Sequence, residues 1–185
     1  MSRSPEDEAL AALTVRAVLM MPDGSPADFA AVYAPDAVNR EAVAEPPECR
    51  VGGPAAFHAT AQWLRAAFSD LDFTVDAVVV DADTVVTLGT MAGRHTGTFT
   101  LWRPDGGLDR ALPPTGRSFR VKYAHAMRMR DGQIVEHWAY RDDLGQARQL
   151  GWMPPSPVHL VRSAVATAAL RRRLRQADPV VDGDG

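Results

Sequence analysis

Residues 119–130 alternate without a break. Phe119, Val121, Tyr123, His125, Met127 and Met129 hold the odd positions, and Arg120, Lys122, Ala124, Ala126, Arg128 and Arg130 the even ones. Strand side chains point to opposite faces in turn, so this run predicts a half-buried strand with one face on an apolar interior. Asp131-Gly132 follows, a strong two-residue hairpin signal, and residues 134–141 read as the returning strand. If the period continues, Ile134, Glu136, Trp138 and Tyr140 share a face and Asp142 extends the row. The inner sheet face is then expected to carry Tyr123, His125, Met127 and Trp138; a one-residue slip would invert it. Gly151 closes a short helix that Asp142 or Asp143 opens, so helix capping is the plain reading of those aspartates.

His125 lies on the inward face of the strand hairpinned to the one that leads to Asp142. An inward histidine is ordinarily a hydrogen-bonded core residue. Two titratable groups opening into one apolar cavity are also what proton transfer requires.

Upstream, residues 6–20 read as a helix with Leu10, Leu13, Ala17 and Met20 in one stripe. Ser25-Pro26 caps a second short helix with Phe29, Val32 and Tyr33 inward, and Gly53-Pro54 opens a third with the stripe Phe57, Ala61, Leu64 and Phe68. Trp63 falls off that stripe, where it would either flank the packing or wall a pocket. Strands follow at 73–80, 84–92 and 94–102, with Gly89, Gly93 and Gly97 placed to let the sheet bend. Helices first, then mostly antiparallel strands on short turns, argue for an α+β fold.

The 185 residues, 46% hydrophobic and 23% charged, suffice for one well-buried core. A net charge of −3 leaves no nucleic-acid footprint, and Cys49, the only cysteine, excludes an internal disulfide and fits a reducing cytoplasm. Histidines are scattered without metal-ligand spacing, and no window is long and apolar enough to insert into a membrane. Residues 152–157 read as a proline-rich linker. After it comes a helix with Val158, Val161, Val165 and Ala168 on one side and Arg171, Arg172, Arg173 and Arg175 at its end, then a disordered tail from Asp178.

The ordered set of motifs resembles the SnoaL-like polyketide cyclases, also called ester cyclases. It comprises Asn39, Gly53-Pro54, Trp63-Leu64-Arg65-Ala66-Ala67-Phe68, His95-Thr96-Gly97, Pro113-Pro114-Thr115-Gly116-Arg117, Glu136-His137-Trp138, Asp142-x-Leu144-Gly145 and Gln149-Leu150-Gly151. Arg40 stands where that family commonly has histidine. The resemblance implies a ketosteroid-isomerase-like, nuclear-transport-factor-2-like cone over residues 1–151, a barrel of curved, mostly antiparallel sheet wrapped by N-terminal helices. Residues 152–185 form a C-terminal helical extension.

It further implies a homodimer and a pocket for a flat polycyclic substrate, closed to a new ring by cofactor-independent, metal-free intramolecular aldol chemistry. Asp142 is expected as the general acid/base and neutral His125 as a hydrogen-bond donor to the oxyanion. Trp63, Trp138, Tyr123 and Met127 would sandwich the rings, and Asn39 or His95 would orient a carbonyl. Alternatives are another proton-transfer reaction in the same pocket (an isomerase, a hydratase or an accessory component of hydroxylation) or a non-catalytic ligand-binding module.

Overall fold

The computed structural model describes residues 4–177. The expected disordered tail from Asp178 lies outside the described residues. Two helices begin on capping boxes with proline in the first turn, α1 (Pro5–Leu19) behind Ser4 and α2 (Pro26–Val32) behind Ser25. After β1 (Tyr33–Asn39) and two 3-10 turns (Ala42–Ala44 and Pro47–Cys49), α3 (Gly53–Ala67) runs directly into β2 (Phe68–Asp81). The chain continues through β3 (Thr84–His95), β4 (Phe99–Trp102), β5 (Leu108–Leu112), β6 (Ser118–Arg130), β7 (Gln133–Arg141), α4 (Asp143–Gln149) and α5 (Pro157–Ala177).

The main sheet has the order β1-β7-β6-β3-β2, antiparallel throughout except for the parallel β1–β7 pair; β4 and β5 form a separate hairpin. The expected cone is therefore a curved open sheet and not a closed barrel. Its concavity is filled by α1, which lies on β2 and β3, and by α3, which lies on β1 and β2. The stripe Phe57, Ala61, Leu64 and Phe68 is buried as its spacing predicts, and meets Val85, Met91, Phe119, Val121 and Met127 from the sheet. Each large apolar side chain in this core contributes about 1.5–3 kcal/mol by leaving water. Among the described residues no helix is long and apolar enough to cross a membrane.

Three local findings extend or correct the sequence reading. The first concerns Gly89, where a Cβ would come within 1.9 Å of the Thr74 carbonyl oxygen and 2.4 Å of the Tyr123 hydroxyl. Close approach of the neighbouring strands requires glycine there. The second concerns α5: Val158, Val161, Val165 and Ala168 face solvent, while His159, Ser163 and Thr167 are buried. The edge of β5 dictates this. Ser163 Oγ donates to the Ala111 carbonyl at 2.8 Å, the Ala111 N–H donates to Thr167 Oγ1 at 2.8 Å, and Arg171 reaches the Leu108 and Asp109 carbonyls. A buried strand edge needs partners, so the polar face of the helix turns inward.

The third correction decides the site. β6 keeps the predicted register, with Phe119, Val121, Tyr123, His125, Met127 and Met129 buried. In β7 the ladder shifts, since Met129 pairs with Ile134 but Arg128 pairs with Glu136. Val135 is the extra residue of a β-bulge, which leaves one residue unpaired and reverses the alternation beyond it. His137 and Ala139 therefore point inward. Trp138 points outward, where the Arg128 guanidinium covers its ring at 5.5 Å, and Tyr140 is exposed.

Candidate active site

Two adjoining cavities open between α3, the inner sheet face and the β4–β5 hairpin. The inner one is narrow, about 30 Å³, and is lined by Tyr33, Asn39, Phe57, Met127, His125 and His137 among others. The outer one holds about 360 Å³ behind aromatic and aliphatic walls from Trp63, Phe68, Phe99, Leu101, Leu112 and Trp152. Glu41, Glu45, Leu64, Ala139 and Arg141 line both. A flat apolar body fits the outer chamber and a small polar group the inner one.

The polar groups at the junction are held from several directions. Glu45 is 5% exposed and its carboxylate accepts a hydrogen bond from the Thr60 hydroxyl, while Arg50 clamps its backbone carbonyl. Burial pushes the Glu45 carboxyl above its ordinary range, against the smaller opposing effects of the Thr60 bond and the Arg141 charge. Arg141, the last residue of β7, also ion-pairs with Asp143 at 3.3 Å.

Deeper in, His125 Nδ1 lies 2.8 Å from His137 Nε2, and His137 Nδ1 lies 3.3 Å from Asn39 Oδ1. Burial, reinforced by the Arg141 charge, pushes His137 down to about 3; burial and the neighbouring His137 push His125 well below its ordinary value. Both imidazoles are neutral at neutral pH.

Of the residues expected from sequence, the structure brings together His125, Asn39 and Met127 in the inner cavity and Trp63 in the outer one, where its indole N–H is held by Thr100. Four others are placed elsewhere. Trp138 is turned out by the bulge. Tyr123 lies behind His125 and commits its hydroxyl to the Thr74 carbonyl at 2.8 Å. His95 is fully buried behind Phe68 and Trp152, with Nδ1 accepting from the Thr115 N–H.

Asp142 is exposed, caps α4 by accepting from the Gly145 N–H at 2.8 Å, and lines neither cavity. The same bulge is the reason, because it moves the inward row from Glu136, Trp138, Tyr140 and Asp142 to His137, Ala139 and Arg141. Arg40 is turned to the outer side and pairs with Glu136. Glu45, Arg141, His137 and Trp152 also line the cavities and were not singled out from the sequence. Two adjacent apolar residues, Ile134-Val135, interrupt the alternation and were the available signal for the inverted β7.

The profile of SnoaL-like polyketide cyclases matches residues 10–150. The chain belongs to this family. Relatives include the aklanonic acid methyl ester cyclase DnrD of Streptomyces peucetius, 33% identical over 122 residues that cover 65% of this chain and 75% of that protein. A second aklanonic acid methyl ester cyclase, DauD of Streptomyces sp. (strain C5), is 32% identical over 136 residues, 72% of this chain and 76% of the relative. A protein of ketosteroid isomerase-like fold from Catenulispora acidiphila superposes with a TM-score of 0.56 at 14% identity, covering 80% of this chain and 95% of its own, which supports the fold. This SnoaL-like cyclase thus combines the family's helix-wrapped sheet with an alanine, Ala139, at the inward strand position between its two cavities.

Proposed function

We propose that this cyclase closes a ring of an aromatic polyketide methyl ester by acid/base catalysis, with Glu45 as the proton-transfer group. The observation that carries this reading is a buried carboxyl in the wall common to both cavities, with a cation beside it. A methylene flanked by carbonyl groups is a weak carbon acid, and a desolvated carboxylate is a stronger base than one in water. Glu45 takes the methylene proton, the resulting enolate carbon bonds to the ketone carbon, and the carbonyl electron pair moves to oxygen. Protonated Glu45 then returns its proton to the new alkoxide, so the product is an isomer of the substrate. Arg141 favours the negative charge as it develops. His125 is a poor alternative base, because a proton on its imidazole would be strongly disfavoured by burial.

The outer chamber suits the fused rings, in keeping with relatives whose names specify aklanonic acid methyl ester. Incubation with that ester is expected to give a compound of unchanged mass carrying one more ring. Recovery of bound but unchanged ester would favour a binding module instead.

We place the enzyme in the cytoplasm as a homodimer, with Cys49 buried and unpaired. The outer sheet face carries two cross-strand rows, Ala77–Leu88–Ala124–Tyr140 and Val79–Val86–Ala126–Trp138. Leu88 at 43% and Tyr140 at 62% exposure form part of an apolar patch of the kind that pairs with a copy of itself. Sedimentation at micromolar concentration should give twice the chain mass, falling to one chain for Leu88→Glu; a monomeric wild-type chain would contradict the dimer.

A further inference from the structure

The proton positions along the inner cavity can be assigned link by link. The Glu41 backbone N–H can only donate, and it points at Asn39 Oδ1 from 3.1 Å, so the oxygen of that amide faces it. His137 Nδ1, 3.3 Å from the same oxygen, must then carry a hydrogen. A neutral imidazole has one N–H, so His137 Nε2 holds a lone pair. His125 Nδ1, 2.8 Å from that lone pair, must in turn be the protonated nitrogen. His125 is neutral as well, which leaves its Nε2 bare. That atom is buried and has no hydrogen-bond partner, and the residue, 7% exposed, lines the inner cavity.

No neighbouring group bonds that nitrogen in the structure. Ala139 is opposite it on β7, the Tyr123 hydroxyl is committed to Thr74, and Thr87, opposite it on β3, has an Oγ1 that is itself buried without a partner. An unpaired buried acceptor is costly, so a ligand that supplies an O–H there recovers a penalty the free protein carries.

We infer that His125 is a tautomer-locked hydrogen-bond acceptor, held so by Glu41, Asn39 and His137, and that it selects substrates presenting a hydroxyl or enol O–H to the inner cavity. It is a positioning residue. A group that can only accept repels an oxyanion, so the charge that develops during ring closure lies toward Arg141 and away from His125. This assignment reverses the donor role expected from sequence. It rests on the cyclase reading for the identity of the substrate, but the lock itself belongs to the free protein.

A nitrogen-15 NMR spectrum of the ligand-free chain at about pH 7 tests the lock, since the two nitrogens of neutral imidazole resonate far apart. His125 Nδ1 should appear protonated and Nε2 unprotonated. Titration with 2-naphthol and with 2-methoxynaphthalene, which has no O–H, tests selection. The naphthol should bind at least about tenfold more tightly and move the Nε2 resonance, as one recovered buried hydrogen bond requires. In His125→Phe the preference should vanish; if that variant does not fold, the wild-type preference and the resonance shift carry the test.

A protonated Nε2 would overturn the inference, as would equal binding of the two probes, or no binding of either up to its solubility limit. Discrimination without any ring closure on the methyl ester would leave the acceptor role standing and remove the cyclase reading.

Discussion

Lowering the pH from about 7 to about 5 should remove roughly 4 kcal/mol of folding stability, a large part of what a domain of this size possesses. The sign follows from the buried histidines. His137 is held down to about 3, His95 to about 4 and His125 well below 6.5, so each binds a proton more readily in the unfolded chain. Their contribution is complete above the unfolded value of 6.5 and is lost as the pH falls toward the folded values. By about pH 5 His137 and His95 have each given up roughly 2 kcal/mol, and His125 acts in the same direction.

Glu45 acts in the opposite sense. Its raised folded value means that stability increases as the pH falls toward 4.5, which offsets part of the loss. Three histidines outweigh one carboxyl. Urea unfolding at the two pH values measures the difference, and His137→Asn, with one fewer buried imidazole to titrate, should show a smaller drop. Equal or greater wild-type stability at the lower pH would mean that these histidines are not buried neutral.

Replacing Glu45 with glutamine should cost about a hundredfold or more in turnover, as loss of a positioned general base does. The amide keeps the shape and can still accept from Thr60, so the fold and the binding of the polycycle should survive. Burial raises the carboxyl, so the active carboxylate form accumulates only above 4.5, and the wild-type rate should rise with pH along a limb displaced upward from that of an ordinary glutamate. Glu45→Asp, whose carboxylate is one methylene further back, should retain a small fraction of the rate with a limb of similar shape. Unchanged turnover in Glu45→Gln would remove the carboxyl from the reaction.

Elements governed by local periodicity were readable in advance. The inward set of β6, the apolar stripe of α3, the Asp131-Gly132 turn and the capping role of Asp142 all follow from spacing and turn chemistry within a few residues. The reading failed where one residue changes the count: Val135 bulges, and everything inferred from parity after it changes face. Glu45 lies in a proline-rich turn with no period, and only contacts with Thr60 and Arg50, made on folding, turn its carboxyl to the cavity. The outer chamber draws its walls from α3, β4, β5 and Trp152, segments whose approach no local pattern encodes. Strand β1 was hidden for the same reason, because Tyr33–Asn39 shows no alternation and pairs with β7 about a hundred positions away.

We propose that the proton passes through the junction of the two cavities and not through the helix cap. The most direct measurement is the rate of ring closure by Glu45→Gln and Asp142→Asn on the same polycyclic methyl ester, with thermal unfolding of each as control. Glu45→Gln is expected to lose about a hundredfold or more. Asp142→Asn should stay within about threefold of wild type and lose at most about 1 kcal/mol of stability, since asparagine also caps helices. A folded Asp142→Asn chain without activity, beside an active Glu45→Gln chain, would contradict the account.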